Sequence, residues 1–162
     1  MKKILVAVVV GVLLVGTYSI VSAVGKVGKA GKFENILTAQ DVERATGIAG
    51  ITRVPRQPLS NFMNGELNFI SRDGSPLLMV QIRPDYMYEA LKADTGYFRS
   101  NVSGLGDDAF TSPSFDPQFS VNVRKGHYVM VITTNIDPKD KRKTLLGMDQ
   151  LLKIANVVDQ RL

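Results

Sequence analysis

Residues 119–134 read FSVNVRKGHYVMVITT. Phe119, Val121 and Val123 alternate with Ser120, Asn122 and Arg124, the period-two pattern of a strand with one face in a core and one face wet. Lys125-Gly126 supplies a turn. Residues 127–134 then follow as a more uniformly apolar strand, which predicts a place deeper in the same sheet. Downstream, residues 135–143 read as a polar loop, and Thr144 is expected to cap a closing helix. In that helix Met148, Leu151, Leu152, Ala155, Val158 and Leu162 recur at three- and four-residue spacing, the stripe of a helix that covers a sheet. Most of these positions also trace a coiled-coil seam, but about two heptads are too few to prefer that over core packing.

Upstream, the period is again two. Residues 51–56 predict an edge strand ended by Pro55 and Pro58, and residues 66–72 alternate with Leu67 and Phe69 on one face. Asp73-Gly74 is a turn signal, and residues 77–83 continue the meander with Leu78, Val80 and Ile82 inward. Residues 85–93 predict a second helix with Met87, Ala90 and Leu91 on one side, followed by a connecting stretch. The first helix, residues 39–46, has Thr38 as N-cap, Asp41 at the third helical position and Leu37 placed to staple onto Val42. Gly47 stops it, and Val42 and Ala45 mark its inner face. Tight turns between consecutive strands favour antiparallel pairing. The expected fold is therefore α+β, a single antiparallel β-sheet of about five to six strands with helices packed on one face. The repeated strand-helix-strand units of nucleotide-binding α/β folds are absent.

The N-terminus is of another kind. Lys2 and Lys3 precede an unbroken apolar run over residues 4–16, and a less apolar stretch ends in Val21-Ser22-Ala23. This reads as a signal peptide cut after Ala23, with an uncleaved membrane anchor over residues 4–24 as the alternative. Residues 24–32 repeat a small residue, Gly and Lys three times. With the residues up to 36 they are expected to form a flexible linker ahead of one domain at 37–162. Membrane contact through residues 4–32 is one reading, since Lys26, Lys29 and Lys32 attract anionic headgroups; a plain spacer is the other.

The net charge of +5 follows the same division. Five of the twenty Lys and Arg lie at or before Lys32, and the other fifteen equal the fifteen acidic residues, all of which lie beyond Phe33. The folded part is neutral, so nucleic acid is not expected as a partner. Without cysteine, disulfides, thiolate nucleophiles and cysteine metal sites are excluded.

The most distinctive local sequence is GLGDDAF at 104–110. Its adjacent acids invite a cation-binding or acid-base reading, but no third ligand follows at a recognised spacing. The expectation is a shaped structural loop of Gly104, Gly106, Asp107, Asp108 and Phe110, with the Asp side chains accepting backbone hydrogen bonds and Phe110 in the core. The glycines also lack the residues of a phosphate-binding loop. His127, the single histidine, is expected to be a solvated strand-end residue. Serines 100, 103, 112, 114 and 120 lack a nucleophile-elbow setting. Lys139, Lys141, Arg142 and Lys143 form the one basic cluster, read as a possible interaction site ahead of a helix N-terminus or as a solvated loop balanced by Asp137 and Asp140. Tyr86, Tyr88, Tyr97, Phe98 and Phe110 flank the connection as candidate cleft or core aromatics. No catalytic, metal or cofactor residues are assigned.

The segment LTAQDVERATG at 37–47, then GLGDDAF, then a strand pair and a closing helix resemble small exported bacterial domains of unknown function. Many of those are lipoproteins, and some are the extracellular sensor regions of kinases. The resemblance implies an α+β sandwich-like domain outside the membrane and no enzymatic activity. The chain departs from that pattern in having neither the lipid-bearing cysteine nor the structural pair. The expected function is an exported non-enzymatic binding or accessory module of the cell envelope, whose partner is a protein, an envelope component or a small ligand. The alternatives are a membrane-tethered structural protein and a hydrolase using Asp107 or Asp108 with His127.

Overall fold

In the computed structural model the described residues are 33–54, 65–94, 96, 98–113 and 117–162. The leader, residues 24–32, Pro55, Pro58, Tyr97 and Ser114 lie outside them. The elements, in chain order, are α1 (Ala39–Thr46), β1 (Thr52–Val54), β2 (Gly65–Ile70), β3 (Pro76–Pro84), α2 (Tyr86–Ala93), β4 (Ser100–Asn101), β5 (Asp108–Pro113), β6 (Phe119–Lys125), β7 (Tyr128–Thr134) and α3 (Met148–Asp159). The strands make one antiparallel sheet in the order β1-β2-β3-β7-β6-β5-β4. The fold is α+β with a single sheet, of seven strands among the described residues, slightly more than expected, because the connection after α2 holds two of its own. Among the described residues no helix is long and apolar enough to cross a membrane.

The strand at the centre explains the layers. On β7, Met130 and Ile132 point into the main core with Leu78, Val80 and Ile82 of β3 and Val121 and Val123 of β6, while Val129 and Val131 point the other way. Both faces of β7 are apolar, so both need cover. α1 and α3 cover the main face through Val42, Leu151, Ile154, Ala155 and Val158. α2 covers part of the second face, where Tyr88, Phe110, Val129 and Val131 form their own cluster. Gathering all helices on one face would have left Val129, Val131 and Phe110 in water.

α2 is also turned differently from its sequence pattern. The fully buried side chain is Tyr88, whereas Tyr86 is 71% exposed and joins Met87, Ala90 and Leu91 around a shallow apolar groove on the outside. The ring of Tyr88 lies 5.3 Å from that of Phe110 and 4.9 Å beneath the Arg124 guanidinium. One large ring seated between strands outweighs a stripe of smaller side chains.

α1 forms as its ends dictate. The Thr38 hydroxyl accepts from Asp41 N at 3.2 Å, the Asp41 carboxylate accepts from Thr38 N at 2.9 Å, and Leu37 and Val42 are both buried. Gly47 closes the helix at φ 75°, its N–H donating to Glu43 O. α3 starts later than its sequence implies. Thr144 is held in an isolated bridge with Ile136 and Leu146 is fully buried, so Gly147 is the N-cap and Gln150 Oε1 accepts from its N–H at 2.9 Å. The packed core also takes in Phe33 and Ile36, ahead of the boundary expected at residue 37.

Candidate functional site

GLGDDAF is spent on the fold, residue by residue. Gly104 turns the chain at φ 78° and Leu105 enters the main core. Gly106, at φ 54°, lies so close to β6 that a Cβ there would sit 2.2 Å from the Arg124 carbonyl oxygen. Asp107 N donates to that same carbonyl at 2.8 Å, and Asp107 Oδ2 accepts from Gly126 N at 2.7 Å, which ties the loop to the β6–β7 turn. Asp108 is 2.5 Å from Lys92 Nζ of α2. That ammonium, through its hydrogen bond, holds the Asp108 carboxyl below the usual range. Ala109 and Phe110 then enter opposite faces of the sheet, both fully buried.

The remaining sequence candidates do not converge. The His127 side chain is 94% exposed, with Nδ1 at 3.7 Å from Asp85 Oδ2. Asp107, Asp108 and His127 therefore each face a different partner and form no relay. Ser112 Oγ and Ser120 Oγ bond each other at 2.8 Å, and Asn122 Nδ2 donates to Ser112 at 2.9 Å, a buried network on the second face. In the basic cluster Arg142 and Lys143 both pair with Asp140, whose carboxyl the Arg142 N–H groups hold low. The Lys139 N–H donates to Asp137, and residues 144–147 separate the cluster from α3. Tyr88 and Phe98 both stack on Phe110, so these three aromatics are core rather than cleft. Burial, reinforced by Asp108, pushes the Tyr88 phenol upward, so it stays neutral. Among the described residues no group of three or more His, Asp or Glu side chains is placed to hold a metal ion.

What sequence reasoning missed is a cleft of about 560 Å³ at the end of the β5–β6 hairpin, lined by Arg99, Thr111, Ser112, Pro113, Pro117, Gln118, Phe119 and Met148. Its size falls in the range of small-molecule sites, roughly 300–1,000 Å³. Phe119 and Met148 form its apolar side, both packed on the edge of the main core. Most of the polar groups already have partners. Thr111 Oγ1 lies 2.8 Å from Ser100 Oγ, Gln118 Nε2 donates to Asn135 Oδ1 at 3.1 Å, and Ser112 belongs to the buried network. Arg99 is the exception. Its backbone N–H donates to Thr111 O, which fixes its position beside β5, but among the described residues its guanidinium has no hydrogen-bond or ionic partner. No signal in the sequence marked it, because no recognised motif surrounds Arg99.

Comparison with protein-family models, with curated proteins and with solved structures found no match.

Proposed function

We propose that this chain is an exported, non-enzymatic binding module of the bacterial cell envelope, and that the cleft at the β5–β6 end is its ligand site. The observation that carries this reading is a ligand-sized cleft with an apolar wall of Phe119 and Met148 and one cation, Arg99, that is unpaired among the described residues. The groups that would have served an enzyme, Asp107, Asp108 and His127, are engaged separately in the fold, and the hydrolase alternative gains no support from them. Export rests on the leader, with Lys2 and Lys3 ahead of an apolar run and Val21-Ser22-Ala23 at its end.

The tethered form of this reading has a geometric consequence. Phe33, where the described chain begins, packs its ring 4.9 Å from Tyr128, and Tyr128 pairs with Lys125 and Pro84 at one end of the sheet. The cleft lies at the other end of β6, beyond Phe119. A chain held to a bilayer by residues 4–24 would present its cleft roughly 20 Å from the anchored end, the length of one seven-residue strand.

The methionines report on the site directly. Met148 lines the cleft, Met87 lines the groove outside α2, and Met130 is fully buried. In a small-molecule screen read by methionine methyl resonances, binding is expected to move Met148 and leave Met130 in place. Compounds that bind and move Met87 instead would place the site elsewhere.

A further inference from the structure

We infer that the cleft selects small molecules pairing one oxyanion, a carboxylate or a phosphate ester, with a short apolar body; this rests on the cleft being the ligand site. Among the described residues Arg99 is the only charged one in the lining, and none of the described lining residues is acidic. Among the described residues its guanidinium has no partner to be displaced from, so its donors are available to a ligand. The guanidinium fork fits two oxygens of one carboxylate or phosphate, a geometry that a neutral group does not reproduce. Gln118 and Thr111 are already bonded to Asn135 and Ser100, which leaves Arg99 as the donor with the most unused capacity. Phe119, Met148 and Pro113 give the rest of the ligand an apolar surface. A polyanion is a poor fit, because the fifteen basic residues beyond Lys32 are balanced by fifteen acidic ones. The Lys139–Lys143 loop, the richest in cations, pairs two of its four with Asp140.

Three probes of similar size separate charge from shape: 3-phenylpropionate, phenyl phosphate and the neutral 3-phenylpropionamide. They are titrated into the full chain in lipid nanodiscs, with the Met148 methyl as readout and Met130 as a check on folding. Both anions are expected to move Met148 saturably, with the amide about tenfold weaker or worse. The tighter of the two anions identifies the preferred oxyanion. Arg99→Gln should bring the anions down to the affinity of the amide, and Arg99→Lys should restore part of the difference. Equal binding of amide and anions, or anion affinities unchanged in Arg99→Gln, overturns the inference while leaving the cleft as a binding site. If none of the three moves Met148 but other compounds do, the oxyanion inference alone fails. If no compound of any kind moves Met148, the cleft reading fails with it.

Discussion

At Gly106 the absence of a side chain decides the course of a loop. Its φ of 54° is strained for any L side chain, and a Cβ would also meet Val123 Cγ1 at 2.7 Å as well as the Arg124 carbonyl. Gly104 shares the positive φ but faces open space. Gly106→Ala should therefore cost at least about 2 kcal/mol, and Gly104→Ala about 1 kcal/mol, because only the first adds a clash to the backbone strain. Urea midpoints of the two variants test the ordering. Asp41 is the second residue to which the fold is sensitive. It is 3% exposed, and Arg161 donates to its two oxygens at 2.6 and 2.9 Å, which, with the Thr38 bonds, holds its carboxyl well below the usual range. A depressed carboxyl stabilises the fold fully above its unfolded value of 3.8 and loses that contribution as pH falls below it. The protein should hold this contribution at pH 5 to 7 and lose it progressively below about pH 4. Asp41→Asn should cost about 2–3 kcal/mol at neutral pH and flatten the acid limb of a stability-versus-pH curve. The capping role of Thr38, Asp41 and Gly47 was legible because a cap is a local pattern. Arg161 as the partner of Asp41 was not, since nothing in sequence links residues that far apart.

Among the elements, α2 shows why helix patterns mislead when the helix is short. With eight residues and both a ring and an apolar stripe to place, it buries the ring. Two ion pairs orient it further, Lys92 with Asp108 and Glu89 with Arg124 at 2.6 Å. Tyr88→Ala should cost about 3–4 kcal/mol by opening a cavity against Phe110 and Val131, whereas Met87→Ser on the outer groove should cost under about 0.5 kcal/mol. Thermal unfolding of the two variants distinguishes them, and the reverse order would restore the orientation read from the sequence. β5 escaped notice for a related reason. Residues 108–112 are nearly all buried, with Ala109 and Thr111 on one face and Phe110 and Ser112 on the other, so the alternation that betrays a half-wet strand is missing. The cleft went unread along with it, because its walls come from the ends of β5 and β6, the start of α3 and the residue before β4.

For the whole molecule, the single antiparallel sheet and the strand pair at 119–134 followed from periodicity alone, and the hairpin pairs as its pattern implies, with Lys125 opposite Tyr128. The layer on the second face did not follow, because the apolarity of β7 is equally the mark of depth in the sheet and of a demand for cover on both sides. That second layer is joined to the sheet by charges as well as by apolar contact, and on the other face the first turn of α1 is clasped to the residues after α3 by Asp41 and Arg161. Removing Arg161 and Leu162 should lower the unfolding midpoint, and combining this with Asp41→Asn should cost less than the sum of the two, since both break the Asp41–Arg161 ion pair. At this scale the leader, the neutral folded unit and the cleft at the end remote from Phe33 form one proposal, a binding module working outside the cytoplasm. It is tested most directly by fractionating cells that express the full chain, measuring its intact mass and adding protease from outside once any outer barrier is opened. The account predicts a folded unit open to that protease, with a mass beginning at Val24 if the leader is cut or an unshortened membrane-bound chain if it is retained. A full-length chain shielded from the protease would place the domain in the cytoplasm and contradict the account.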